Sequence, residues 1–213
     1  MYLIPSKKAW QSLMLSSHDP MLGLKLSTDP RWVSIAQSNL EEVLTDHAWC
    51  EQKATSNAIS IIVSYPEHSD MVDELLKIAK EELAHFEMVH EKIKARGYTL
   101  GPERKDSYVN ELYKFMRKGH RREIVLLDRL LFSAMIEARS CERFKVLTEN
   151  IKDEELARFY RELMISEAGH YTTFIGLAKK YLDPEEVDKR WQQWLEHESK
   201  VIANYGKSET IHG

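Results

Sequence analysis

Apolar residues recur every three or four positions along most of this chain, and that recurrence outlines its elements. In "SNLEEVLTDHAWCEQKATSNAISIIVSY", Ser38 to Tyr65, one stripe holds Leu40, Leu44, Ala48, Thr55, Ala58 and Ile62, as in a long amphipathic helix. "YPEHSD" breaks it: Pro66 stops the helix and Ser69 or Asp70 can cap the next, which runs to about Arg96 and ends at Gly97. "GYTLGPERKD" reads as a loop, and "SYVNELYKFMRK" as a shorter helix broken at Gly119. Two long helices follow, at about His120–Thr148 and Asp153–Tyr181, and a last one opens on Pro184 and runs to about Tyr205. Residues 1–37 define no clear element; "SSHDP" and "STDP" mark turns there.

Two helical hairpins joined by a longer connection is the order of elements in a ferritin-like bundle with its crossover. The predicted fold is all-α: a ferritin-like four-helix bundle (helices about 38–65, 69–96, 120–148 and 153–181) with an additional N-terminal segment, a short inserted helix and a C-terminal helix. With only 8 Gly and 6 Pro in 213 residues, composition agrees. No linker or low-complexity tract divides the chain, so residues 1–213 are expected to form a single domain.

Charge and cysteine content narrow the function classes. A net charge of −4 supplies no global positive field for nucleic acid or an anionic membrane, so any such contact is local. Cys50 and Cys141 are too few for a disulfide framework and too far apart for a CxxC motif, which fits a reducing cytosol. "MYLIPSKKAW" lacks a secretory apolar core and no run approaches 18 apolar residues, so a cytoplasmic protein with no membrane contact is expected.

The chemistry lies inside the stripes. At about 100° per residue, Glu167 and His170 of "SEAGH" fall on the face of Leu156, Phe159, Tyr160, Leu163, Phe174, Leu177 and Tyr181. In "EELAHFEMVH", Glu82 and His85 fall among Leu75, Ile78, Ala79, Phe86 and Val89. Glu51 sits on the Leu44, Ala58, Ile62 stripe, and Glu137 among Leu126, Leu130, Ala134, Cys141 and Phe144. Glu82 follows Glu51 by 31 residues and Glu167 follows Glu137 by 30, so the pattern Glu, then Glu-x-x-His, occurs twice. A buried carboxylate must be paired, protonated or bound to metal.

One Glu from each of two helices plus Glu-x-x-His from each of the other two is the inward-facing ligand set of carboxylate-bridged dinuclear metal sites. Four glutamates balance two divalent ions, and oxygen-rich ligation with one imidazole per metal suits iron or manganese. Two rivals fall off the stripes: the Glu87/His90 pair lies at the border and 36 residues from Glu51, and Glu142 lies about 140° from Glu137 and is expected to pair with an Arg. His47, one turn before Glu51, faces inward, where it could hydrogen-bond a ligand, with a core-edge histidine equally open. Cys141 is read as core filling. Such a site can oxidise and store iron, carry a radical, reduce peroxide or activate dioxygen; the ligand set alone does not choose.

The flanking residues are more specific. "IEARSCERF" within residues 126–147, together with "DHAWCEQKA", "KEELAHFEMV" and "SEAGHYTTF", resembles the tRNA hydroxylase family called MiaE over about residues 40–205. The resemblance implies a non-haem diiron monooxygenase that hydroxylates the isopentenyl group of methylthio-isopentenyl-adenosine beside the tRNA anticodon. It implies two iron ions held by Glu51, Glu82, His85, Glu137, Glu167 and His170, with Glu82 and Glu167 bridging, and O2 as co-substrate. No flavin or nicotinamide fingerprint is present, so electrons are expected from a ferredoxin-type or other reductase. The chain is expected to be a monomer or small homo-oligomer. For the tRNA anticodon loop, Arg117, Lys118, Arg121 and Arg122 of "RKGHRRE" are candidate phosphate contacts, a solvated helix start being the alternative. Arg139 and Arg143 could bind a phosphate near the site or neutralise its acids. Trp10, Trp32, Trp191 and Trp194 are candidates for a platform that stacks the displaced base. The rival functions are a ferritin- or bacterioferritin-like ferroxidase and a radical-generating diiron protein.

Overall fold

The computed structural model describes residues 21–204 and 210–211, and among them every regular element is helical. After a short 3-10 turn, Met21–Gly23, come α1 Trp32–Ser38, α2 Leu40–Ser64, α3 Ser69–Ala95, α4 Ser107–Phe115, α5 Arg122–Asn150, α6 Glu154–Tyr181 and α7 Pro184–Asn204. The long helices begin and end within two residues of the bounds expected from periodicity. Local chemistry sets several ends. Asp153 caps α6 by accepting from the amides of Glu155 and Leu156 at 2.9 and 3.0 Å. Gly97 (φ +72°) turns the chain out of α3, letting Tyr98 N donate to the Ile93 carbonyl at 3.1 Å.

Two ends depart from expectation. Helix α4 stops at Phe115 rather than near Lys118, because Met116 is extended and the Arg117 amide is taken by the Asp128 carboxylate at 2.7 Å. Helix α1 precedes α2 across a break at Asn39; its apolar residues Trp32, Val33 and Ala36 span too few turns to show a period.

Helices α2 and α3 pack along their length as one hairpin and α5 and α6 as another, while contacts between the hairpins are sparse. Helix α7 crosses α4, α5 and α6. Two apolar layers fill the bundle. One gathers Ile61, Leu75, Leu131, Phe174 and Trp194, and the other Leu44, Val89, Phe144, Tyr160 and Trp32. Along each of the four long helices the acids singled out above fall between these layers, so the bundle holds a polar stratum between two oily ones.

Two further buried charged clusters fasten α7. Asp128 accepts from Arg190 Nε at 2.8 Å and from Arg117 Nε at 3.0 Å. Arg139, fully buried, donates to Glu198 at 2.6 and 2.9 Å, to Glu142 at 2.9 Å and to the Leu26 carbonyl at 3.0 Å. Among the described residues no helix is long and apolar enough to cross a membrane. Trp32, Trp191 and Trp194 are buried in the core and cannot stack a base; Trp10 lies outside the described residues.

Candidate metal centre

Four helices bring six side chains together. Glu51, Glu82, Glu137, Glu167, His85 and His170 are all buried. Their ligand atoms form two groups, Glu51, Glu82, His85, Glu167 and Glu82, Glu137, Glu167, His170, each within 4.8 Å. Glu82 and Glu167 belong to both, so the cluster has two lobes joined by two shared carboxylates. His85 Nδ1 lies 3.4 Å from Glu167, 3.5 Å from Glu82 and 3.7 Å from Glu51. His170 Nδ1 lies 2.8 Å from Glu82 and 3.5 Å from Glu167. The i,i+3 spacing of each Glu-x-x-His pair places both side chains on one helix face.

Protons take up part of the charge. Burial alone would raise the Glu51 pKa, yet the close approach of Glu82, His47 and His85 carries it down to about 2. Burial, then repulsion from Glu51, raises Glu82; burial, then the charges of Glu82 and Glu167, pushes Glu137 well above the carboxylate range. Against the opposing effect of burial, Glu51 and Glu82 lift His85 to about 11, and Glu167, Glu81 and Glu82 lift His170. Even so, both oxygens of Glu82, Oε1 of Glu167 and Nδ1 of both histidines make no directed hydrogen bond although buried. Their approaches, at 2.8–3.7 Å, are too long or too poorly aligned to count as one. Inward-facing lone pairs that converge without satisfying one another are what a shared cation would satisfy, and this oxygen-rich donor set with one imidazole per lobe fits hard divalent ions.

The surrounding residues differ in how they meet expectation. His47 Nε2 lies 2.6 Å from Glu51 Oε1 inside a box of Phe144, Phe159 and Tyr160, so it orients that carboxylate. Arg139 and Arg143 do not reach the cluster. Two and six residues beyond Glu137, they point about 160° and 120° away from it. Arg139 neutralises Glu142 and Glu198, and the Arg143 guanidinium sits 4.1 Å from the Trp32 ring. Sequence reading missed Glu81, whose Oε2 lies 2.8 Å from His170 Nε2 across the hairpins, an outer carboxylate on a prospective ligand. Its one signal is adjacency to Glu82. Exposed Glu87 and half-buried His90 stay outside.

The four basic candidates are mostly occupied within the chain. Arg117 is paired with Asp128; Arg122 is paired with Glu67 at 2.8 Å and bonded to the Ser64 carbonyl. Lys118 lies 4.2 Å over the Tyr113 ring, and Arg121 is exposed at the start of α5. Arg117 is tied to a fully buried acid, whereas Arg122 and Glu67 form an exposed pair that is weak in water.

A ferritin-like bundle whose helices converge a buried Glu/His cluster with two shared carboxylates defines the diiron oxygenase class of fold. Comparison with known proteins narrows it. Residues 15–213 match the family described as tRNA-(MS[2]IO[6]A)-hydroxylase (MiaE). The chain is 40% identical over 160 residues, 75% of its length and 77% of the relative's, to the tRNA 2-(methylsulfanyl)-N(6)-isopentenyladenosine(37) hydroxylase of Pseudomonas putida. It is 27% identical to the protein of the same name from Salmonella typhimurium, covering 89% of this chain and 87% of that one. A solved structure of a Synechococcus protein with aldehyde deformylating oxygenase activity superposes with a TM-score of 0.83 at 33% identity, covering 89% of this chain and 95% of that one. The chain belongs to the MiaE family.

Proposed function

We propose that this chain is an oxygen-dependent tRNA hydroxylase acting on the isopentenyl group of 2-methylthio-N6-isopentenyladenosine. The observation that carries the reading is the two-lobed cluster with its shared carboxylates in a member of this family. Glu51, His85, Glu82 and Glu167 would hold one iron ion and Glu137, His170, Glu82 and Glu167 the other. When bound, such a centre supplies the oxidising power to place one atom of O2 in a C–H bond, the other leaving as water with two electrons and two protons.

The chain's own residues prepare that chemistry. His47 fixes Glu51, and Glu81 fixes the ring of His170, so each lobe has one outer partner that orients a ligand. Phe144, Phe159 and Tyr160 close the Glu51 side against water, and Ile211, buried beside it, adds to that wall. Electrons come from a separate reductase, the RNA partner is the anticodon loop, and the setting is the cytoplasm.

The test is to supply iron-loaded protein with O2, a reductant and tRNA carrying the prenylated adenosine, then digest and weigh the nucleosides. A gain of one oxygen on that nucleoside is expected. An unchanged nucleoside, in a protein that oxidises and keeps its iron, would move the assignment to a ferroxidase. The likeness to the aldehyde-acting Synechococcus protein makes an aldehyde the comparison substrate in the same assay.

A further inference from the structure

We infer that the prenyl group enters through the slot between α2 and α5 where α4 crosses it, and that Arg129 and Tyr113 at its mouth hold the RNA. The inference rests on the hydroxylase reading. Helices α2 and α5 carry Glu51 and Glu137, one for each lobe, and they contact each other only sparsely. The gap between them is a cavity of about 70 Å³ whose walls include Ala54, Val109, Phe132 and Ile136. Glu137 lines its inner end, and Cys50, Ala54 and Ile136 are also walls of the pocket that holds the acid cluster, so the two spaces adjoin with only these side chains between them.

The lining chemistry selects the guest. The walls are largely apolar; of the polar residues, Asn57 and Ser133 satisfy each other at 2.8 Å, Lys53 is paired with Glu103 at 3.1 Å and Asp106 caps α4, so the slot suits a branched hydrocarbon. The mouth has the opposite character. Arg129 stands on the same α5 row as Ser133 and Glu137, eight residues or about 12 Å along the axis from the latter. Its guanidinium donates to Ser64 Oγ at 2.7 Å and Ser60 Oγ at 2.8 Å, and no carboxylate pairs with it among the described residues. Arg117, Arg122 and Arg190 nearby are all paired with acids. Burial holds the Arg129 pKa below its ordinary value, with only Tyr65 and Tyr113 opposing. A half-buried guanidinium without a counter-ion is prepared for an oxyanion such as a phosphodiester.

Tyr113 completes the mouth. It is 49% exposed, its ring meets Phe132 edge-on at 6.1 Å, and Lys118 lies over it, so a flat, cation-flanked face is presented beside the slot. A base turned out of its loop stacks on such a face while its N6 substituent points inward. This platform takes the role the core tryptophans cannot fill.

The test measures binding of the full-length protein to an anticodon stem-loop RNA carrying either the prenylated or the unmodified adenosine. Wild type is expected to prefer the prenylated RNA by roughly tenfold or more, from burial of the five-carbon group. R129A should weaken both RNAs alike, by roughly tenfold, and lower the salt slope of binding by about one. V109W, which fills the slot from α4 away from the acid cluster, should erase the preference while leaving the affinity for unmodified RNA and the iron content unchanged; N57W obstructs the same space from α2 if V109W does not fold. Preference retained in whichever of these variants folds, or an unchanged salt slope in R129A, would overturn the entry route while wild type still hydroxylates. A wild type that neither prefers nor hydroxylates the prenylated RNA would overturn the hydroxylase reading and this inference with it.

Discussion

The bundle buries charged residues in two ways. Around Arg139 and around Asp128, buried carboxylates meet guanidinium groups through directed hydrogen bonds, and the partners join α7 to the rest of the fold. In the stratum between the apolar layers, four glutamates and two histidines crowd together with no lysine or arginine, and several lone pairs find no donor. Both regions are built from buried carboxylates. The first is finished by the chain itself, whereas the second is left open for a guest cation. Burial of an acid therefore says little until its partners are counted.

The largest expected effect comes from E137Q. It should lower iron from two per chain and cut hydroxylation roughly a thousandfold or more, measured by metal analysis and nucleoside mass. The metal-free protein should become more stable, not less. Glu137 has a folded pKa above its ordinary 4.5, so it favours folding only while protonated and costs stability as pH rises past that value. The gain in E137Q should thus be present at neutral pH and vanish below about pH 4.5, as read by urea unfolding across pH. A destabilised E137Q would erase the distinction drawn above.

R139A should act oppositely, costing about 3–5 kcal/mol by leaving Glu142 and Glu198 buried and unpaired. Denaturant unfolding reads it, and iron binding by the folded fraction should persist. D128N comes next, at about 2–3 kcal/mol near neutrality. The Asp128 pKa is held below its ordinary 3.8 because the bonds from Arg190 and Arg117 outweigh burial, so its contribution is present above that value and lost as pH falls through the folded pKa. D128N and wild type should therefore converge in acid, the same direction of convergence as E137Q but from the less stable side. The smallest effect belongs to E81Q: iron affinity should fall about tenfold with stability unchanged, since Glu81 is exposed and acts only by orienting His170. A competition titration with a chelator checks it.

How much of this was readable in advance follows from the range of the information. The four long helices and the inward acids were legible because both depend on spacing of three, four or thirty residues within the chain. Glu51, Glu82, His85, Glu137, Glu167 and His170 were named from stripes and repeats, and the structure brings those six together. What failed depends on partners far apart in sequence. Arg139 was placed near the site because it is close to Glu137 in number, but its partner Glu198 lies 59 residues on, against the opposite side of α5. Glu81 carries no sequence signal beyond its adjacency to Glu82, because only the packing of the second hairpin puts His170 beside it. The four basic residues of "RKGHRRE" read as a patch, yet Asp128 and Glu67 had already claimed two of them. Arg129 attracted no notice, since being left without an acid is a property of the folded neighbourhood.

The shared carboxylates carry one more consequence. Glu82 belongs to the first hairpin and Glu167 to the second, and each lobe needs both. Neither hairpin folded alone presents a complete set for even one ion. On the proposed assignment, loading is therefore an inspection step: a chain whose halves are misaligned by one helical turn cannot retain iron, and a redox-active metal is withheld from it until assembly is correct.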